Sequence, residues 1–127
     1  MKVLLINGSP NRLGCTYTAL HEVENTLHGH DIETEILYLG KQPVAGCIAC
    51  MKCAETGYCF REDQVREVQT RLDEFDAIVI GSPVYYSGVS GQLVSFLNRL
   101  FFASGNRMAG KLGAAVVSRR RGGASAT

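Results

Sequence analysis

Twice in this chain a short apolar run ends in the same three residues. Val3-Leu4-Leu5-Ile6-Asn7 leads into Gly8-Ser9-Pro10, and Ala77-Ile78-Val79-Ile80 leads into Gly81-Ser82-Pro83. Each run is too short for a helix, carries β-branched residues and is stopped at a glycine, which is the pattern of a buried parallel strand. A helical pattern follows each loop, so the two runs belong to strand–loop–helix units of one parallel sheet. Both loops then emerge at the carboxyl ends of their strands, the edge at which open α/β sheets take ligands.

The remaining segments fit around these two units. Thr16 to Leu27 places Ala19, Leu20, Val23 and Leu27 at helical spacing, with Glu22 and Glu24 turned outward and Gly29 closing the helix. Asp31 to Leu39 reads as a second strand, nearer a sheet edge than the first, and Asp63 to Phe75 as a short amphipathic helix. Leu93, Phe96, Leu97 and Leu100 form a strong helical stripe, and Leu112 to Val117 reads as a fourth buried strand ending at Ser118. We expect Phe96, Phe101 and Phe102 in the core or an interface. Tyr85 and Tyr86, in the loop Val84 to Gly91 rich in small and hydroxyl residues, are instead suited to cover a flat ring. Lys41 to Glu62 shows no period of either kind, and an excursion that long inside a compact domain points to function.

With 127 residues, 46% hydrophobic and 20% charged, the chain is one domain with room for a real core. A net charge of +1 supplies no field for nucleic acid or an anionic membrane. The longest apolar runs are far short of a membrane span or a signal peptide's core, so a cytoplasmic location and small-molecule partners are expected, with no nucleic acid and no membrane.

After the first strand, Ser9, Asn11, Thr16 and Thr18 put short polar side chains beside the N–H groups that a helix cannot satisfy within its first turn. A phosphate fits there, with the helix dipole behind it and Arg12 as the one charged candidate. An ordinary helix cap is the alternative. The triphosphate loop fails because Cys15 follows Gly14 where lysine is required, and the dinucleotide fingerprint lacks its close glycine pair.

Four of the five cysteines fall within thirteen residues. Cys47, Cys50, Cys53 and Cys59 have the spacing Cys-x2-Cys-x2-Cys-x5-Cys, near that of a bacterial ferredoxin run, with Gly46 and Gly57 beside it to let the backbone wrap a 4Fe-4S cluster. Zinc is the chemical rival, although structural zinc sites usually set two cysteine pairs on separate turns. Reduced thiols without metal are the third reading, and a disulfide is disfavoured in a reducing compartment. His21, His28 and His30 read as solvated, Glu62 and Asp63 as a helix start, and Arg119 to Arg121 as a solvated loop, a subunit contact or a seat for a nicotinamide phosphate.

Gly8-Ser9-Pro10 with Gly14 and Thr16, followed at this spacing by Gly81-Ser82-Pro83-Val84-Tyr85, resembles the flavodoxin-like NAD(P)H-dependent FMN reductases. Within them, Cys47-Ile48-Ala49-Cys50-Met51-Lys52-Cys53, Cys59 and Glu62-Asp63 are most similar to the iron-sulfur flavoproteins, and the likeness spans nearly all of the chain. The resemblance implies a flavodoxin-like, doubly wound parallel sheet over residues 1–127, carrying a cysteine-rich loop at 41–62 and ending before a last strand and helix. An edge left bare in that way predicts oligomerisation or instability. It also implies FMN, with its phosphate at Ser9, Asn11, Arg12, Gly14, Cys15 and Thr16 and its ring along Pro83, Val84, Tyr85, Tyr86 and Ser87, near Ser118. Cys15 departs from the asparagine or serine usual there, and a thiol is a poor donor. The implied activity is an oxidoreductase taking electrons from NAD(P)H or a redox protein and passing them to an acceptor such as a quinone or flavin. The flavin itself carries the hydride and single-electron chemistry, so no catalytic side chain is assigned. A non-enzymatic electron carrier and a metal-stabilised interaction module are the alternatives.

Overall fold

The structure is a computed structural model describing residues 1–127. Its elements follow in the order β1 (Lys2–Asn7), α1 (Cys15–His28), β2 (Glu33–Tyr38), α2 (Lys52–Thr56), α3 (Gln64–Thr70), β3 (Ala77–Pro83), α4 (Gly91–Ser104) and β4 (Leu112–Ser118). The four strands form one parallel sheet in the order β2-β1-β3-β4. The chain therefore winds outward from β1 in both directions, and the loops after β1 and β3 flank the crevice where the order reverses.

Strand alternation divides the core between the two faces. Val3 and Leu5 of β1 and Ala77 and Val79 of β3 pack against Leu20 of α1. Leu4, Ile6 and Ile78 point the other way, into Val65 and Val68 of α3 and Leu93, Phe96 and Leu100 of α4. The register sets Leu5 between Ile36 of β2 and Val79 of β3, so β1 is covered on both faces and both edges. Its continuous apolar run is the sequence trace of that position.

Three expectations change. β4 is an edge strand, not a buried one: Leu112 is 63% exposed, Gly113, Ala114 and Ala115 are exposed, and Val116 and Val117 are half-buried. Continuous apolarity cannot distinguish a strand covered on both faces from one bordering the sheet. Phe96 lies in the core, and Phe101 and Phe102 turn away from the Leu93–Phe96–Leu100 stripe onto the surface, the position an interface residue would take. The amphipathic helix from Asp63 stops at Thr70, and a 3-10 turn covers Leu72–Glu74. Glu24 does not point outward: it accepts from Thr34 Oγ1 at 3.0 Å and is paired with His21 at 2.9 Å, which ties α1 to β2.

At the opposite end of the sheet Arg71 reaches both carboxylate oxygens of Glu35, at 2.8 and 2.6 Å, and also bonds Glu74. Lys2 bonds the same two carboxylates. The Arg71 bond, against some desolvation and with help from Lys2, holds Glu35 below the ordinary glutamate range. No helix is long and apolar enough to cross a membrane.

Candidate functional site

The loop from Gly8 to Gly14 is folded on its own side chains. Asn7, buried, accepts from Ser9 N at 3.0 Å and donates to the Arg12 carbonyl at 3.3 Å, while Ser9 Oγ accepts from Asn11 N at 3.1 Å. These are the local turns that asparagine and serine form with nearby backbone. Because Ser9 turns inward, it does not cap α1. Gly14 stands at the N-cap in an extended conformation, and no side chain accepts from the first turn of this 14-residue helix. An uncapped helix N-terminus presents N–H donors and the positive end of the dipole, which is the equipment of an anion site.

Two glycines let the surrounding pieces close. A Cβ on Gly8 would come within 2.6 Å of Leu93 Cδ2, and one on Gly81 within 2.7 Å of Leu20 Cδ1 and 2.9 Å of Thr16 Cγ2. Gly8 N donates to the Gly81 carbonyl at 2.9 Å, and Ser90 Oγ donates to the Gly8 carbonyl at 2.7 Å. Thr16, buried in the first turn of α1, shares a 2.8 Å hydrogen bond with Ser118 at the end of β4. Residues 9–16, Pro83 and Ser118 thus come together at one edge of the sheet, with Pro83 opposite Ser118 in the strand register.

The Arg12 side chain turns toward β2. It is exposed, with its guanidinium 5.7 Å from the centre of the Tyr38 ring on the β2 side, and Tyr38 Oη donates to the Pro10 carbonyl at 2.7 Å. Cys15 is exposed at the first helical position.

After β3 the chain makes a tight hairpin. Tyr85 N donates to the Gly88 carbonyl at 2.9 Å and Gly88 N to the Tyr85 carbonyl at 3.1 Å, and the two residues between, Tyr86 and Ser87, have φ of 50° and 59°. Positive φ at both central positions is the type I′ turn, usually an Asn-Gly turn, and two non-glycine residues there store strain. Tyr85 is half-exposed and Tyr86 fully exposed, so neither ring belongs to the core. Val84 N donates to the Ser118 carbonyl at 2.9 Å, and the Gly123 backbone lies against Val84 and Ser87.

Cys47, Cys50, Cys53 and Cys59 line one narrow pocket together with Phe60, Phe102 and Arg99. Ala49 and Met51 have φ of 52° and 59°, which bends the Cys-x2-Cys-x2-Cys run around the cavity before α2 begins at Lys52. No three His, Cys, Asp or Glu side chains stand close enough to hold a single metal ion. The arrangement is four thiols around a shared space, and cluster ligands sit on separate iron corners rather than on one ion.

Cys59 is the most extensively hydrogen-bonded of the four. Its N–H donates to Gln69 Oε1 at 2.9 Å, its carbonyl accepts from Arg66 at 3.1 Å, and its Sγ accepts from Arg99 Nε and Nη2 at 3.3 and 3.2 Å. Asp63 caps α3 by accepting from Val65 N at 3.2 Å, and its carboxylate also receives Arg99 at 2.6 and 2.9 Å. Burial opposes the charged form of Arg99, but the bonds it donates to Asp63 and Cys59 outweigh this and raise its pKa. Sequence reasoning missed Arg99. A lone arginine inside the Leu93–Leu100 stripe was the available signal, since a charge on a buried helix face needs a partner.

A profile of the NADPH-dependent FMN reductases matches residues 1–127. An iron-sulfur flavoprotein of Methanocaldococcus jannaschii is 38% identical over 132 residues, an alignment covering 100% of this chain and 67% of the relative. An iron-sulfur flavoprotein of Archaeoglobus fulgidus is 35% identical over 131 residues, covering 98% of this chain and 63% of its own length. The chain spans between 54% and 67% of the first three curated relatives. Among solved structures, the NAD(P)H:quinone oxidoreductase of Methanothermobacter marburgensis superposes with a TM-score of 0.70 at 19% identity, covering 94% of this chain and 66% of that one. That likeness shows the flavodoxin-like fold.

Proposed function

The chain belongs to the NADPH-dependent FMN reductase family, and from that membership we propose that it binds FMN across the crevice between β1 and β3 and works as a nicotinamide-dependent oxidoreductase. The uncapped N-terminus of α1, opening at the point where the strand order reverses, carries this reading. The FMN phosphate takes the first-turn N–H groups of α1, with Ser9, Asn11, Gly14, Cys15 and Thr16 around it. Arg12 supplies the nearby positive charge. The ring lies along Pro83 to Ser87, where the exposed Tyr85 and Tyr86 offer aromatic faces, with Ser118 closing the floor through Thr16. When bound, FMN accepts a hydride from a nicotinamide and returns electrons singly or in pairs. The residues bind, orient and shield it, and none is required to move a proton.

Cys47, Cys50, Cys53 and Cys59 are the proposed ligands of a 4Fe-4S cluster, which would supply single-electron transfer to or from the flavin. Their shared cavity supports this reading. The donor is NADPH or NADH, the acceptor a quinone or a second flavin, and a homo-oligomer in the cytoplasm is the expected working form.

Steady-state oxidation of NADH and NADPH with a quinone acceptor tests the enzyme reading. Turnover that requires added FMN is expected. FMN-loaded protein that exchanges electrons with a protein partner yet never oxidises either nicotinamide would make it an electron carrier.

A further inference from the structure

Arg99 is held more completely than an ion pair with Asp63 requires. Its side chain is 1% exposed, against 34% for Asp63. The guanidinium makes five hydrogen bonds: Nε and Nη2 to Cys59 Sγ, Nη2 to Asp63 Oδ1, Nη1 to Asp63 Oδ2, and Nη1 to the Ala45 carbonyl. A guanidinium has five N–H groups, so every donor is used. Gln69 closes the ring, donating to the Arg99 carbonyl at 3.1 Å while accepting from Cys59 N. The other three cysteines have no comparable anchor: Cys47 accepts one long contact from Ala49 N at 3.5 Å, and Cys47 and Cys50 are exposed.

We propose that Arg99 is the positioning residue of the cysteine site: it sets the Cys59 sulfur as the preplaced ligand and biases the bound cluster toward its reduced state. This rests on the reading that the four cysteines hold a 4Fe-4S cluster. One electron added to such a cluster adds one negative charge, part of it on the cysteine sulfurs. A buried guanidinium donating two N–H groups to one of those sulfurs stabilises the reduced form more than the oxidised one. Asp63 fixes the direction of the fork, and Asp63 is itself fixed as the cap of α3. The fork is rigid, whereas a lysine would offer a mobile point charge.

The test is the cluster's midpoint potential, measured by anaerobic dithionite titration of reconstituted wild type, Arg99→Lys and Arg99→Met, with iron and sulfide counted per chain. Asp63 is open to water, so Arg99→Met leaves it solvated rather than stranded. Arg99→Met should disfavour the reduced cluster at least tenfold, a fall of about 59 mV for one electron, and Arg99→Lys should lie between it and wild type. A folded, iron-loaded Arg99→Met with the wild-type potential overturns the proposal. If Arg99→Met does not load, a loaded Arg99→Lys with the wild-type potential overturns it equally, because Arg99 is then only a staple between loop and helix. Wild type that takes up no iron refutes the cluster reading itself, and the proposal with it.

Discussion

Gly81 has no room for a side chain. An alanine there meets Leu20 and Thr16 at 2.7 to 2.9 Å, and both belong to the tightly packed first two turns of α1. Gly81→Ala should destabilise the fold by about 1–3 kcal/mol through overpacking. Chemical denaturation measures this, and a change below about 0.5 kcal/mol, the range of surface substitutions, would mean that α1 can shift at no cost. Glu35 gives a pH signature. Its folded pKa is lowered from 4.5, chiefly by Arg71, so its contribution is present above that value and is lost as pH falls through the lower folded value. Glu35→Gln should therefore cost roughly 0.2–1 kcal/mol at neutral pH, the range for partly exposed pairs. The melting temperatures of variant and wild type should converge in acid; a gap that persists there would assign the effect to packing. At this scale the sequence was legible where local chemistry decides, as at Asp63, which caps α3 as expected. It was not legible at Arg99, whose partners Cys59 and Asp63 lie 40 and 36 positions away.

Among the elements, the hairpin at Tyr85–Gly88 separates binding from stability most cleanly. Tyr86 is fully exposed, so Tyr86→Ala should leave stability within about 0.5 kcal/mol. The flavin's visible spectrum or reduction potential should nevertheless shift, because an aromatic face tunes the ring's electronics. Unchanged flavin properties with unchanged stability would remove Tyr86 from the site. The hairpin itself could not be read from the sequence, since Tyr-Ser is not an I′ pair and only tertiary contacts, Val84 with Ser118 and Ser87 with Gly123, specify it. α2 escaped for a different reason: five residues are too few to show a helical period. β1 and β3 were legible as continuous apolar runs stopped at glycine, and α1 and α4 because each carries a helical period over its packed face. β4 was recognised as a strand, but its exposure depends on its neighbours and not on its letters.

For the molecule as a whole, parallel strands and the shared ligand edge follow from the repeated Gly-Ser-Pro ends. The order β2-β1-β3-β4 joins them to a second site through one helix. α4 starts beside the crevice, where Ser90 bonds Gly8, and nine residues further on Arg99 grips Cys59, an axial rise of about 14 Å. That helix sets a fixed spacing between the two proposed redox sites. If the cysteine loop owes its shape to metal–thiolate bonds, removing iron should speed proteolysis within residues 41–62 while β1 and β3 stay protected. Equal cleavage with and without iron would show that the protein alone orders the loop.

The uncapped start of α1, with the Thr16 side chain in its first turn, is the proposed seat of the FMN phosphate. Its most direct test is fluorescence titration of flavin-free protein with FMN, comparing wild type with Thr16→Ala. One FMN per chain is predicted, with affinity weakened by about 1–3 kcal/mol in the variant, the usual cost of leaving a hydrogen-bonding group unpaired. Equal affinity in the two proteins, or no saturable binding to wild type, would contradict it.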